Sequence, residues 1–274
     1  MRRYFSEKEK QIILDCANKH LGYTKAAEII GCNSQTVKKY CIQNNIKMEY
    51  RKKNRELNED FFDEINTPEK AYFLGLIYTD GSVRVFNEES KQMRIQLQLR
   101  DKPILEKFKE VLNSDVNLVY DKRPGKETVG FEISNKHLVE GLISHGVIPN
   151  KTYKSNHLPI VENKYEIDFL RGLFDGDGTL SYKENYNEAC IGFTNYSEQV
   201  VFEFQNKIDT LINKENSNKI LYSEKDGHKY TCHWRGRRQV LKILSILYDN
   251  TTIYLQRKYD KYQKLLSTTD KDII

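Results

Sequence analysis

The chain has 274 residues, 38% hydrophobic and 30% charged, enough for about two domains around a sizeable core. No apolar run is long enough to cross a bilayer, and MRRYFSEKEK lacks the apolar centre of a signal peptide, so neither a membrane nor a secretory role is expected. The five cysteines form no CxxC pair, which argues against a disulfide framework or a zinc ribbon and for a reducing, cytoplasmic setting.

The net charge of +5 is unevenly spread. Residues 1–55 hold 13 Lys and Arg against 5 Asp and Glu, and the remainder holds 31 against 34. A basic head suggests a polyanion partner, with a merely solvated basic face as the alternative. Residues 5–46 read as three helices. Ser6 is placed to cap the first, which runs to about His20 with Ile12, Ile13, Cys16 and Ala17 at helical spacing. Thr24 to Gly31 gives the second, with Thr24 as cap and Gly31 as terminator. NSQTVKKYCIQNN gives the third. Ala27, Ile30, Val37 and Tyr40 face inward across a tight GCN turn, an arrangement that resembles the helix-turn-helix heads of recombinases and regulators. On that reading Ser34, Gln35, Thr36, Lys38 and Lys39 face the major groove. Gln suits adenine, Ser and Thr adapt, and the lysines suit phosphates. A three-helix bundle for protein contacts is the alternative. Residues 47–66 are polar and charge-rich and are expected to be a linker.

Thr67 and Pro68 are the cap and first turn of the next helix, which carries FLGLIYTDG over 73–81. A second copy, LRGLFDGDG, occupies 170–178 and starts near Glu166. The aspartates Asp80 and Asp177 stand 97 residues apart, the span of one small α+β unit, so the chain reads as two related halves, 67–160 and 161–274. Gly75 and Gly172 leave room for the two helices to cross backbone to backbone. Their C-terminal ends then meet, where negative charge is disfavoured. Paired carboxylates there repel unless a cation intervenes, and hard oxygen donors select Mg²⁺, with Mn²⁺ as a substitute.

Each motif is followed by strand-forming segments. Strands are expected at 82–86, 93–100, 116–120 and 129–134, and again at 179–184, 188–195, 219–224 and 229–235. In MRIQLQLR, Arg94, Gln96, Gln98 and Arg100 alternate with Ile95, Leu97 and Leu99. In KYTCHWR, Lys229, Thr231, His233 and Arg235 alternate with Tyr230, Cys232 and Trp234. With Arg84 and Lys183 these polar faces suit base edges and phosphates of duplex DNA, or an ordinary wet sheet face. The six histidines form no metal-spaced cluster, and no glycine-rich loop for a nucleotide cofactor is present.

The paired motif at this spacing closely resembles the LAGLIDADG homing endonucleases of the single-chain, two-motif type. The resemblance implies an α+β fold, two pseudo-symmetric αββαββα units forming a DNA-binding saddle, with the helix-turn-helix head appended. It implies metal binding by Asp80 and Asp177, assisted by the backbone at Thr79 and Gly176. It implies Lys151 and Lys258 near the scissile phosphates, matched through GVIPNKTYK and IYLQRKYDK. It also implies a water-positioning amide at Asn195, with Gln98 as the first-half counterpart, although strict alignment there gives Leu99. Asp175 is expected to be structural or to support the metal ligands from behind. The small residue usual at the motif's second position is replaced by Leu74 and Arg171, a departure that bears on helix packing. A single chain carrying both motifs is expected to act as a monomer on double-stranded DNA. A non-cleaving regulator and an RNA maturase on the same scaffold are the alternatives.

Overall fold

Ser6, Asn33, Thr67, Asn135 and Ser197 each cap the start of a helix with their side chains. The computed structural model describes residues 4–19, 21–48, 56–150, 157–183, 188–225 and 227–269, and the chain divides into two units at residues 55 and 56.

The first unit holds α1 (Glu7–Asn18), α2 (Gly22–Ile30) and α3 (Ser34–Gln43). Ser6 and Glu9 cap α1 reciprocally. Glu9 N–H donates to Ser6 Oγ, and Ser6 N–H donates to Glu9 Oε2 at 2.8 Å. The second helix starts at Gly22, ahead of its expected cap, because Gly22 adopts a positive φ that lets the chain turn directly into it. Thr24 therefore lies inside the first turn. Gly31, at φ 73°, ends α2, and the Asn33 side chain caps α3 by accepting from Gln35 N–H at 2.8 Å. Phe5, Ile13, Cys16, Ala26, Ala27, Val37, Cys41 and Met48 form this unit's own core.

The second unit contains α4 (Pro68–Asp80), β1 (Gly81–Val85), β2 (Lys91–Gln98), α5 (Lys102–Val111), β3 (Val119–Asp121), β4 (Thr128–Ser134) and α6 (Lys136–Ser144). The order then repeats as α7 (Glu166–Asp177), β5 (Gly178–Lys183), β6 (Glu188–Asn195), α8 (Glu198–Leu211), β7 (Leu221–Ser223), β8 (Lys229–Arg235) and α9 (Arg237–Tyr248), with α10 (Gln256–Thr269) added. Each half builds an antiparallel four-stranded sheet, ordered β1-β2-β4-β3 and β5-β6-β8-β7. The expected αββαββα repeat is present in both. Alternation holds: Ile95, Leu97, Phe131 and Ile133 are buried in one sheet, and Phe193, Cys232 and Trp234 in the other.

The expected linker needs correction. Residues 49–55 lie outside the described residues, but 56–66 belong to the second unit. Phe61, Phe62 and Ile65 are buried in its core, and Phe61 stacks edge-on against Phe108. Phe62 rests on Gly141, where a Cβ would stand 3.1 Å from the Phe62 carbonyl carbon. The charge of this segment hid two aromatic anchors. The same segment brings Asp60 and Asp63 to His137, whose Nε2 lies 3.2 Å and 2.9 Å from their oxygens. No sequence spacing announces this exposed cluster.

Candidate active site and nucleic-acid interface

The crossing of α4 and α7 is made of backbone. A Cβ at Gly75 would stand 2.3 Å from the Phe169 carbonyl oxygen, and one at Gly172 would stand 2.1 Å from that of Tyr72. Any other residue at either place forces the helices apart. Further along α7, Gly176 faces Thr79, and a Cβ on Gly176 would lie 3.2 Å from Asp80 Oδ2. The Asp80 carboxylate therefore sits against the α7 backbone beside Asp177. Thr79 turns its hydroxyl back to donate to Leu76 O at 2.9 Å. The expected metal-site residues Asp80, Asp177, Thr79 and Gly176 are thus brought to one place at two helix ends. The carboxylates there are hard oxygen donors of the kind that a divalent cation takes.

Behind this pair lies a buried polar layer. Asp175 is fully buried and accepts from Tyr72 Oη at 2.8 Å, Tyr248 Oη at 2.5 Å and Leu255 N–H at 2.7 Å. Burial pushes its carboxyl up, opposed by the Lys258 charge and these donors. Asp175 ties α4, α7, α9 and the start of α10 together and is structural, as expected. Arg171, buried at the motif's second position, donates to Ile253 O at 2.9 Å, to Leu247 O at 3.0 Å and to Asp168. Its guanidinium carbon lies 5.6 Å from the centroid of the Tyr72 ring on α4, and Gly172 beside it keeps the backbone contact with the Tyr72 carbonyl. Leu74 is buried in the core of the first half.

Lys258 is 4% exposed. Its Nζ donates to Phe174 O in α7 and, at 2.6 Å, to Gly178 O at the start of β5, so it bridges carbonyls on either side of Asp177. Burial lowers its pKa to about 8, while the charges of Asp175, Asp80 and Asp177 pull the other way. Lys258 therefore lies within electrostatic reach of both candidate metal ligands. Lys151, its expected counterpart, lies outside the described residues. Arg257, the neighbour of Lys258, pairs with Asp101 of the first half at 3.0 Å, a link between halves that sequence reasoning missed.

Asn195 Nδ2 donates to Asp177 Oδ2 at 3.2 Å, and its Oδ1 accepts from Ser197 N–H at 3.1 Å. The second contact fixes which way the amide points. The first-half counterpart is neither Gln98 nor Leu99. Gly81 pairs with Ile95, which faces Phe131; Gly178 pairs with Phe193, which faces Cys232. Counting on two residues in each strand gives Leu97 opposite Asn195. The strand of the first half runs on past this point, and a 3₁₀ turn at Leu99–Asp101 precedes α5. That extension displaces Gln98.

On the open sheet faces, Arg84, Gln96, Gln98, Lys183 and Arg235 are exposed, and Arg94, Lys229, Thr231 and His233 half-buried. Arg94 donates to Gln96 Oε1 at 2.6 Å, and Gln96 donates to Thr128 Oγ1 at 2.5 Å. Arg100 is exposed but lies in the 3₁₀ turn rather than on the strand face. It lines a concavity with Gln98, Lys126 and Thr128. In the first unit Gln35, Lys38 and Lys39 are exposed, while Ser34 and Thr36 are half-buried.

Residues 164–248 match the LAGLIDADG-like domain family. The crystal structure of meganuclease I-SmaMI bound to uncleaveable DNA superposes with a TM-score of 0.52 at 12% identity, over 73% of this chain and 89% of that one. The chain carries the LAGLIDADG fold. The I-LtrWI LAGLIDADG homing endonuclease bound to target DNA gives a TM-score of 0.49 at 12% identity, over 78% of this chain and 92% of that one. Among curated proteins, uncharacterized protein MJ0398 of Methanocaldococcus jannaschii is 24% identical over 266 residues, covering 87% of this chain and 89% of its own. The LAGLIDADG match within the chain falls on the half that holds Asp177, Asn195 and the buried Asp175 layer.

Proposed function

We propose that the chain is a site-specific, divalent-metal-dependent DNA endonuclease that hydrolyses both strands of a long asymmetric duplex. The observation that carries this reading is the Asp80 carboxylate set against the α7 backbone beside Asp177, at helix ends that disfavour negative charge. Asp80 and Asp177, with peptide oxygens at Thr79 and Gly176, would hold Mg²⁺ or Mn²⁺, and when bound the cation activates water and stabilises charge on the leaving 3′ oxygen. Lys258 holds the end of α7 and adds positive charge near the phosphates. Asn195 orients Asp177. The exposed Arg, Gln and Lys side chains of the two sheets face the duplex. Both motifs lie in one chain, so a monomer supplies a complete site. The similarly folded I-SmaMI, a meganuclease bound to DNA, supports the substrate class.

The first unit is read as a second DNA contact. Its support is the exposure of Gln35, Lys38 and Lys39 on α3, together with the basic charge of residues 1–55. A reducing, cytoplasmic setting accords with five unpaired cysteines.

The test is incubation of the full chain with a randomised library of linear duplexes, with and without Mg²⁺. Recovery of one cut sequence family only with the metal supports the reading. Capture of a sequence family without cutting would make the chain a non-cleaving DNA-binding protein.

A further inference from the structure

Each sheet ends in a three-residue edge strand, β3 or β7, and each edge strand turns one bare aliphatic side chain onto the open face. Residues paired across an antiparallel ladder carry their side chains on the same face. Val119 pairs with Gly130, which pairs with Gln96. Leu221 pairs with Thr231, which pairs with Thr194. Gln96 lies on the face that carries Arg94, and Thr231 on the face that carries Lys229. Val119 and Leu221 therefore share those polar faces, where they are 54% and 47% exposed. Tyr120 and Tyr222 pair with Val129 and Tyr230 and face the other way. The two positions are equivalent. Gly130 precedes Phe131 in the row of Gly81, and Thr231 precedes Cys232 in the row of Gly178. Gly130 has no side chain to cover Val119, and beside Leu221 the hydroxyls of Thr194 and Thr231 bond each other at 2.9 Å. One exposed aliphatic residue is ordinary. A matched pair on two otherwise polar faces is not accounted for by core packing.

We propose that Val119 and Leu221 are specificity-determining residues, each reading the 5-methyl group of a thymine. The two thymines lie equally far from the centre of the target, one in each half-site. This rests on the duplex-binding part of the reading above and not on cleavage. In the major groove thymine alone of the four bases presents a methyl group, while the others present donors and acceptors without one. An aliphatic side chain against that methyl buries apolar area from both partners. Against another base edge it strips water from polar groups and returns no hydrogen bond. The half-sites need not agree elsewhere, because the same rows hold Gln96 and Gly130 in one half and Thr194 and Thr231 in the other. The target is thus asymmetric around one matched pair of thymines.

The experiment uses the full chain and a duplex that it captures from the randomised library in Ca²⁺. Deoxyuridine replaces each thymine in turn, which keeps the base pair and removes only the methyl group, and affinity is measured in Ca²⁺. Two replacements, mirrored about the centre, are expected to weaken binding about fourfold each, the worth of one buried methyl group. Val119→Ser abolishes the effect at one of them and Leu221→Ser at the other, each leaving the second position sensitive. Cytosine at either place weakens binding further, and 5-methylcytosine regains the part due to the methyl. Both side chains are exposed, so the melting temperatures of the two variants stay near wild type. Affinity indifferent to deoxyuridine at every thymine, or an effect that persists in both variants, overturns the inference while leaving the duplex-binding reading intact. A library from which no sequence family is captured overturns that reading and this inference with it.

Discussion

Gly172 rests on the carbonyl of Tyr72 so closely that a single added carbon would stand 2.1 Å from the oxygen. Backbone oxygens at a helix crossing cannot move as a flexible side-chain tip can. Gly172→Ala or Gly75→Ala is therefore expected to separate α4 from α7 and to lower stability by about 1–3 kcal/mol or more, the range of an overpacked core. The Asp80 and Asp177 carboxylates would separate with the helices. Gly125→Ala is the control for a glycine replaced in open space, because only its φ of 72° is strained. Chemical denaturation of the three variants is the measurement. Equal, small losses in all three would mean that the crossing is not tightly packed.

The acids themselves are expected to matter for chemistry and not for binding. Asp80→Asn or Asp177→Asn keeps the size of the side chain and removes its charge. Cleavage in Mg²⁺ should fall by about 10³-fold or more. Affinity for the same duplex in Ca²⁺ should change little, because phosphate contacts across the sheets dominate it. Full cutting by either purified variant would remove that residue from the metal site.

These acids are legible in the sequence because their signal is local: an apolar helix, a glycine at its third motif position, and Asp-Gly at its end, written twice. The αββαββα repeat is legible for the same reason, through strand alternation. What the sequence hides is set by distant partners. Lys258 is visible as a lysine, but its two carbonyl acceptors lie about 80 residues away. Asp175 shows no sign in the motif that it will meet Tyr248 and the Leu255 amide. Alignment offers Leu99 when it follows the starts of the next helices and Gln98 when it follows the spacing of the two motif aspartates. Strand pairing gives Leu97, and the extra turn at Leu99–Asp101 accounts for the shift. Phe61 and Phe62 are masked by the charges around them.

Lys258→Met removes the amine and leaves Phe174 O and Gly178 O without that donor. The expected loss is about 1–3 kcal/mol, the cost of stranding a buried acceptor. The pH dependence has a definite sign. The folded-state pKa is lowered from 10.5 to about 8, so between these values the unfolded chain binds more protons than the folded one. The penalty for burying the charged amine is thus present below about pH 8 and relieved as pH rises towards 10.5. Relative to Lys258→Met, the wild type should gain stability over that window in urea titrations at stepped pH. A flat difference would show that folding does not lower the Lys258 pKa.

His137 faces Asp63 first and Asp60 and Glu59 next, and these carboxylates raise its pKa above the ordinary 6.5. Its contribution is fully present below 6.5 and is lost as pH rises through the folded-state value. An NMR titration of the ring should give a midpoint above 6.5, falling towards it in Asp63→Asn. The group is exposed, so little change in melting temperature accompanies the shift. A midpoint unaffected by Asp63→Asn would show that the contact does not persist in solution.

The first unit has its own core and its own caps, so it can be removed without opening the core of the second. If α3 reads DNA, the protein has two footprints joined through residues 49–55, and linking two modules raises affinity through effective concentration alone. Deleting residues 1–55 is expected to weaken binding and shorten the footprint at one end, with the cut position unchanged. Lys38→Ala with Lys39→Ala should lower affinity for every sequence and flatten the salt dependence by roughly one unit for each phosphate that is no longer neutralised. Gln35→Ala should act differently, relaxing preference at one base pair outside the cut site by about 1–3 kcal/mol. Footprinting and salt titration of the full chain against the truncation separate these effects. An unchanged footprint with unchanged affinity would assign α3 to a protein partner, since its exposed Gln35, Lys38 and Lys39 would then touch no DNA.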